Sequence, residues 1–140
     1  MIREIKFRGY NWENGWVYGN LAGIPKKLYI EEVKDLGDGW YSLPRTDVVP
    51  KSVGQFTGMK DKNDKEIYEG DIVRVYDFSS VYVSEYRGVV KMVYGTWIVE
   101  YYDTFGISRP KLFFDDFANR KTEVIGNIYD NSELLKGGKS

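Results

Sequence analysis

The chain has 140 residues, 42% of them hydrophobic and 16% aromatic, which is enough apolar material for one domain or two small subdomains burying roughly 68% of the unfolded surface. Twenty basic side chains against 21 acidic ones exclude a whole-chain field that would draw the protein onto nucleic acid or an anionic membrane, and leave room only for local basic patches. With neither Cys nor His, the chain has no disulfide, no thiolate or imidazole metal ligand and no serine or cysteine triad.

The first ten residues alternate charged and apolar side chains and carry no signal-peptide core. No apolar run approaches the roughly 20 residues needed to span a bilayer, so the expectation is a cytosolic chain with no membrane association. In Ile5-Lys6-Phe7-Arg8 the period of two puts Ile5 and Phe7 on one face of a half-buried strand. Asn14-Gly15, between Tyr10-Asn11-Trp12 and Trp16-Val17-Tyr18, predicts a type I′ hairpin. A strand is expected over residues 27–33, ending in the turn Gly37-Asp38-Gly39, with Trp40-Tyr41 and residues 46–49 returning beside it. Pro44 and Pro50 confine that return to an edge or a broken strand.

Residues 55–71 change character. Gln55-Phe56-Thr57-Gly58 leads into a charged run over 60–66, and the segment reads as a connecting loop and turn region between a subdomain of residues 1–54 and a second of 72–131. Strands are expected at 72–76, 88–94, 97–102 and 123–129, with Gly95-Thr96 as a type II′ loop between the middle two. The predicted fold class is all-β: an N-terminal antiparallel β-meander followed by a small SH3-like β-barrel. Residues 111–119 fit either a short helix or a strand followed by a loop. In the tail, residues 132–140, Ser132 is placed to cap one helical turn that Gly137-Gly138 would stop.

Three blocks of the chain resemble the YopX family, small proteins encoded by bacterial phages and prophages. They are Arg3-Glu4-Ile5-Lys6-Phe7-Arg8-Gly9-Tyr10 with residues 17–21; residues 53–63 through Ile67-Tyr68-Glu69-Gly70-Asp71-Ile72-Val73; and Glu123-Val124-Ile125-Gly126-Asn127-Ile128-Tyr129-Asp130-Asn131 with Leu134-Leu135. The resemblance implies a phage-related origin and a β-rich fold, and carries no catalytic residues. Asp64 departs from it, standing where a glycine is usual.

Candidate chemistry meets a structural alternative at every point. Asp61 and Asn63 match the first and third positions of a calcium loop, but Lys65 brings a cation to the fifth, Glu66 replaces the turn glycine and Ile72 the bidentate glutamate. A solvated turn without metal is the better reading. Asp115-Asp116 with Asp103 would suit metal-assisted hydrolysis, although adjacent acids on an extended chain point to opposite faces. Phe and Tyr on an open face, with Lys6, Arg8, Lys26, Lys27, Arg87 and Lys91, would suit single-stranded nucleic acid.

The expectation is therefore a non-enzymatic interaction protein without cofactor, binding a host or phage protein, with a nucleic-acid binder as the alternative and self-association as a further arrangement that fits. The candidate surface is Gln55, Phe56, Thr57, Gly58, Met59, Lys60, Tyr68, Glu69 and Asp71. Exposure of Phe56 and Met59 would favour the first reading, and clustering of these cations beside exposed Tyr or Trp would favour the second.

Overall fold

A computed structural model describes residues 4–77, 84–102, 108–112 and 121–135. The chain is mainly β, in antiparallel sheets, and divides into two compact units, Met1–Gly58 and Met59–Ser140.

In the first unit β1 (Phe7–Asn11), β2 (Gly15–Ile24), β3 (Lys27–Glu31), β4 (Lys34–Gly37), β5 (Trp40–Ser42) and β6 (Arg45–Val48) precede a 3-10 turn at Pro50–Ser52 and then β7 (Gly54–Lys60). The main sheet runs β6-β3-β2-β1-β7, so β6 is an edge strand, as its flanking prolines require. The edge is tied back: the Val49 N–H donates to the Tyr10 carbonyl at 2.9 Å and the Asn11 side-chain amide to the Asp47 carbonyl at 2.7 Å. Val17, Ile30 and Val48 form the core, with Phe7, Leu28 and Val53 packed against it.

The β1–β2 hairpin forms where expected, but with a different turn. Asn11 pairs with Gly15, leaving a three-residue loop. The Asn11 side-chain oxygen accepts from the Glu13 and Asn14 N–H groups at 2.9 and 2.8 Å, and Gly15 alone takes positive φ, 76°. The Asx contact thus supplies what Asn14 in a type I′ turn would have. The segment after β3 also differs from the expected continuous strand: β4 and β5 make a separate two-stranded ribbon, closed by Gly37, Asp38 and Gly39, all at positive φ.

The division between the units falls within β7. Residues 55–71 are therefore not a loop region but strand, turn, strand and turn: β7, then β8 (Glu66–Tyr68) hydrogen-bonded beside it, then Glu69-Gly70 leading into β9 (Asp71–Asp77). The charged run 60–66 masks this in the sequence.

The second unit adds β10 (Ser84–Val93), β11 (Thr96–Tyr102), β12 (Ser108–Leu112) and β13 (Thr122–Asn127), in sheet order β12-β11-β10-β9-β13. Among the described residues β12 and β13 are the edges of an open sheet, so the closed barrel expected here is not formed. The core is Ile67, Val73, Val75, Val90 and Val99, with Met59, Tyr86, Trp97 and Val124 packed against it. Ser132–Leu135 is a single 3-10 turn. Residues 113–120, Asp103 and Gly137-Gly138 lie outside the described residues.

The β10–β11 turn corrects another expectation. Val93 pairs with Thr96, so the loop is Tyr94-Gly95, with φ of 50° and 77°, as type I′ demands, and not Gly95-Thr96. Tyr94 is fully exposed and held in a conformation that costs an L-residue about 1–2 kcal/mol. Replacing it with Asn, which tolerates positive φ, is expected to stabilise the protein by about 1 kcal/mol. Thermal unfolding should then shift upward by about 3 °C.

Candidate interaction site

The nine residues of the sequence-predicted surface occupy β7, β8, the turn that follows and the first residue of β9. Phe56 is only 6% exposed, with Lys6 Nζ 5.1 Å from its ring centroid, and Thr57, Tyr68 and Asp71 are buried as well. Gln55, Met59 and Glu69 are half-buried, Met59 against the core of the second unit, while Gly58 and Lys60 are exposed. Phe56 and Met59 therefore form no exposed apolar patch. The residue types that suggested a binding loop are those of a strand whose alternate side chains feed a core.

The charged run has a structural task too. Asp61 is buried, and its carboxylate accepts three backbone N–H groups: Oδ1 from Asn63 at 2.8 Å and Lys65 at 2.9 Å, Oδ2 from Val124 at 2.9 Å. These bonds close the 61–65 turn and fasten it to β13. Asp64 takes φ of 66°, a region that Asp tolerates better than most residues. Asp71 likewise accepts from the Tyr68 N–H at 2.8 Å across the turn into β9.

The third resembling block is also turn architecture. Asn127 Oδ1 accepts from the Tyr129 and Asp130 N–H groups at 3.0 and 2.8 Å, and Asn131 Oδ1 accepts from the Asn127 N–H at 3.2 Å. A Cβ on Gly126 would stand 2.7 Å from Asn131 Oδ1, so a larger residue there would have to displace that side chain. Beside it, Glu123 meets Lys62 at 3.2 Å and Arg74 at 3.2 Å. The hydrogen bond from Lys62 holds the Glu123 carboxyl below the usual carboxylate range.

Exposed apolar surface concentrates elsewhere. Among the described residues, ten of the fourteen exposed large hydrophobic side chains belong to the first unit. Five of them, Val33, Leu36, Trp40, Tyr41 and Leu43, lie on or beside the β4–β5 ribbon, with Leu36 66% and Trp40 72% exposed. Every residue of β4 is exposed. Sequence reasoning missed this site because aromatic strand residues usually fill cores. The available signal was a short apolar pair, Trp40-Tyr41, between a glycine turn and Pro44.

The cations of the nucleic-acid reading separate. Arg8 is buried with its guanidinium 4.8 Å from the Trp16 ring centroid, and Lys91 pairs with Glu100 at 2.6 Å. Lys26 and Lys27, by contrast, line one groove of the first unit with Tyr10, Trp12 and Arg45. Asp103, Asp115 and Asp116 lie outside the described residues.

No curated protein matched the chain. Among solved structures, the crystal structure of protein EF1440 from Enterococcus faecalis is similar at 24% identity, over 96% of this chain and 100% of that one, with a TM-score of 0.51; this likeness bears on the fold alone. The family model described as YopX protein matches residues 6–136, which takes in all the turns and strands described above, and the chain belongs to the YopX family.

Proposed function

We propose that this chain is a non-enzymatic interaction protein of phage or prophage origin that binds a protein partner in the bacterial cytosol, and that the contact is made by the β4–β5 ribbon. The observation that carries this reading is the exposure of Leu36, Trp40 and Tyr41 on a two-stranded ribbon that belongs to no larger sheet. An isolated pair of strands is marginal in water, and large apolar side chains gathered on one are the composition of an interface centre. The side chains are also cheap to lose from the fold, because they fill no core.

The test is a tagged pull-down from host cells, with and without nuclease, comparing the native chain with Trp40→Ala/Tyr41→Ala. The expected result is a nuclease-resistant protein partner whose recovery falls at least tenfold in the double variant, as removal of two aromatic anchors implies, with the melting temperature nearly unchanged. Equal recovery by both proteins would overturn the assignment to the ribbon, and recovery only of the chain itself would replace the foreign partner by a second copy.

A further inference from the structure

We propose that the first unit carries a second, separate site: the groove beneath the β1–β2 turn binds single-stranded nucleic acid, with a base stacked on Trp12 and phosphates at Lys26, Lys27 and Arg45. The groove has a volume of about 780 Å³, within the usual range for ligand sites. The proposal is independent of the ribbon and would survive its failure.

Trp12 is the element that singles out a base as occupant. It is 77% exposed, so a face of the indole is open to solvent, and Tyr10 stands perpendicular to it with centroids 5.6 Å apart. An exposed indole on a mobile loop would lose ordering entropy on stacking. The backbone that carries this one is held: Asn11 accepts from the Glu13 and Asn14 N–H groups within the turn and donates to the Asp47 carbonyl, while the Tyr10 N–H donates to Ser52 Oγ at 2.8 Å. An exposed aromatic face on a held turn, beside cations, is the arrangement single strands use, since every base has a π-face.

The charges fit the same occupant. Lys26, Lys27 and Arg45 line the groove with two acids, Glu13 and Asp47, and Glu31 pairs with Arg45, so three cations stand against three acids and a phosphate is met by individual cations, not by a net positive field. Lys27 meets Asp47 at 3.4 Å with both side chains 60% exposed, a loose pair from which the ammonium can turn to a phosphate. Arg45 gives its Nε to Glu31 at 2.7 Å, and a guanidinium has further N–H donors to offer. An acidic peptide would match the cations but has no general need for the indole.

The experiment is fluorescence anisotropy of dye-labelled oligothymidine and oligouridine, about twelve nucleotides long, titrated with the full chain at low salt and then at rising salt. Trp12→Ala is expected to weaken binding by about 5- to 100-fold. Lys26→Ala/Lys27→Ala should reduce the slope of log affinity against log salt by about 1.4. Trp40→Ala should bind as the native chain does. Circular dichroism checks that each variant is folded, which the exposure of the substituted side chains favours. Binding of either oligonucleotide supports the site, and a preference between them reports the 2′-hydroxyl and the thymine methyl together. No binding of either at low salt, native-like binding by Trp12→Ala, or displacement by polyglutamate as effective as by unlabelled oligonucleotide would overturn it, the last in favour of an acidic peptide.

Discussion

Replacing Asp61 with Ala is expected to destabilise the protein by about 3–5 kcal/mol, a large part of the stability of a chain this size. The side chain is buried and its two oxygens accept N–H groups from Asn63, Lys65 and Val124, so truncation strands three donors at once. Each stranded donor costs about 1–3 kcal/mol if water cannot replace the lost partner. One of the three lies 63 residues away on β13, so the loss also loosens that strand from the turn and leaves the bond from the Lys62 N–H to the Thr122 carbonyl, at 2.9 Å, to hold them together. Asp61→Asn keeps one oxygen and should recover part of the difference. Urea unfolding followed by circular dichroism measures both. The same experiment with added calcium separates this role from metal binding: a structural carboxylate predicts no shift of the midpoint, whereas a bound ion would raise it by linkage.

That role was partly legible in the sequence. An Asp followed by Asn two residues on, amid polar residues, is a turn signal, and the calcium reading fails on ligand types alone. The long-range bond to Val124 was not legible, because nothing local in 61–65 names a strand 60 residues later. The same limit governs the rest. Asn14-Gly15 announces a hairpin, yet the competition between an Asx contact from Asn11 and a two-residue turn is decided by the register Asn11–Gly15. Tyr94 looks like the last residue of a strand because it is aromatic, and only the pairing of Val93 with Thr96 puts it in the turn.

Burial was the least legible property, and the candidate sites depend on it most. Phe56 and Trp40 are similar in sequence terms, aromatic residues beside glycines in turn-rich segments. Phe56 sits in a strand paired with β1, its N–H donating to the Lys6 carbonyl at 2.8 Å, and so is covered. Trp40 sits in a ribbon with one partner strand and is not. The difference is tertiary: a strand with two neighbours acquires a face that something packs on, and a ribbon that joins no sheet does not. The blocks that mark the YopX family are for the same reason poor guides to function here. Asp61, Asp71, Gly126, Asn127 and Asn131 shape turns, while Trp12, Leu36, Trp40 and Tyr41, which offer surface to a ligand, lie outside those blocks.

The second large effect is expected at Gly88. It lies in β10, paired with Val73 on β9 and with Tyr101 on β11, so its strand is central in the sheet and cannot move outward. A Cβ there would stand 2.6 Å from the Glu100 carbonyl oxygen and 2.7 Å from Val99 Cγ1. The first neighbour is backbone and the second belongs to a core side chain that is 1% exposed, so neither is a flexible end that can swing away. Gly88→Ala must therefore pry β10 from β11 or displace the core, and a loss of about 3 kcal/mol or more is expected. Gly58→Ala provides the contrast. Nothing lies within 4 Å of a Cβ at Gly58, but its φ is 87°, so the cost there is backbone strain alone, about 1–2 kcal/mol. Urea midpoints for the two variants separate steric overlap from backbone conformation. A Gly88→Ala protein as stable as Gly58→Ala would mean that β10 and β11 pair less closely than the register from Gly88–Tyr101 to Val93–Thr96 requires.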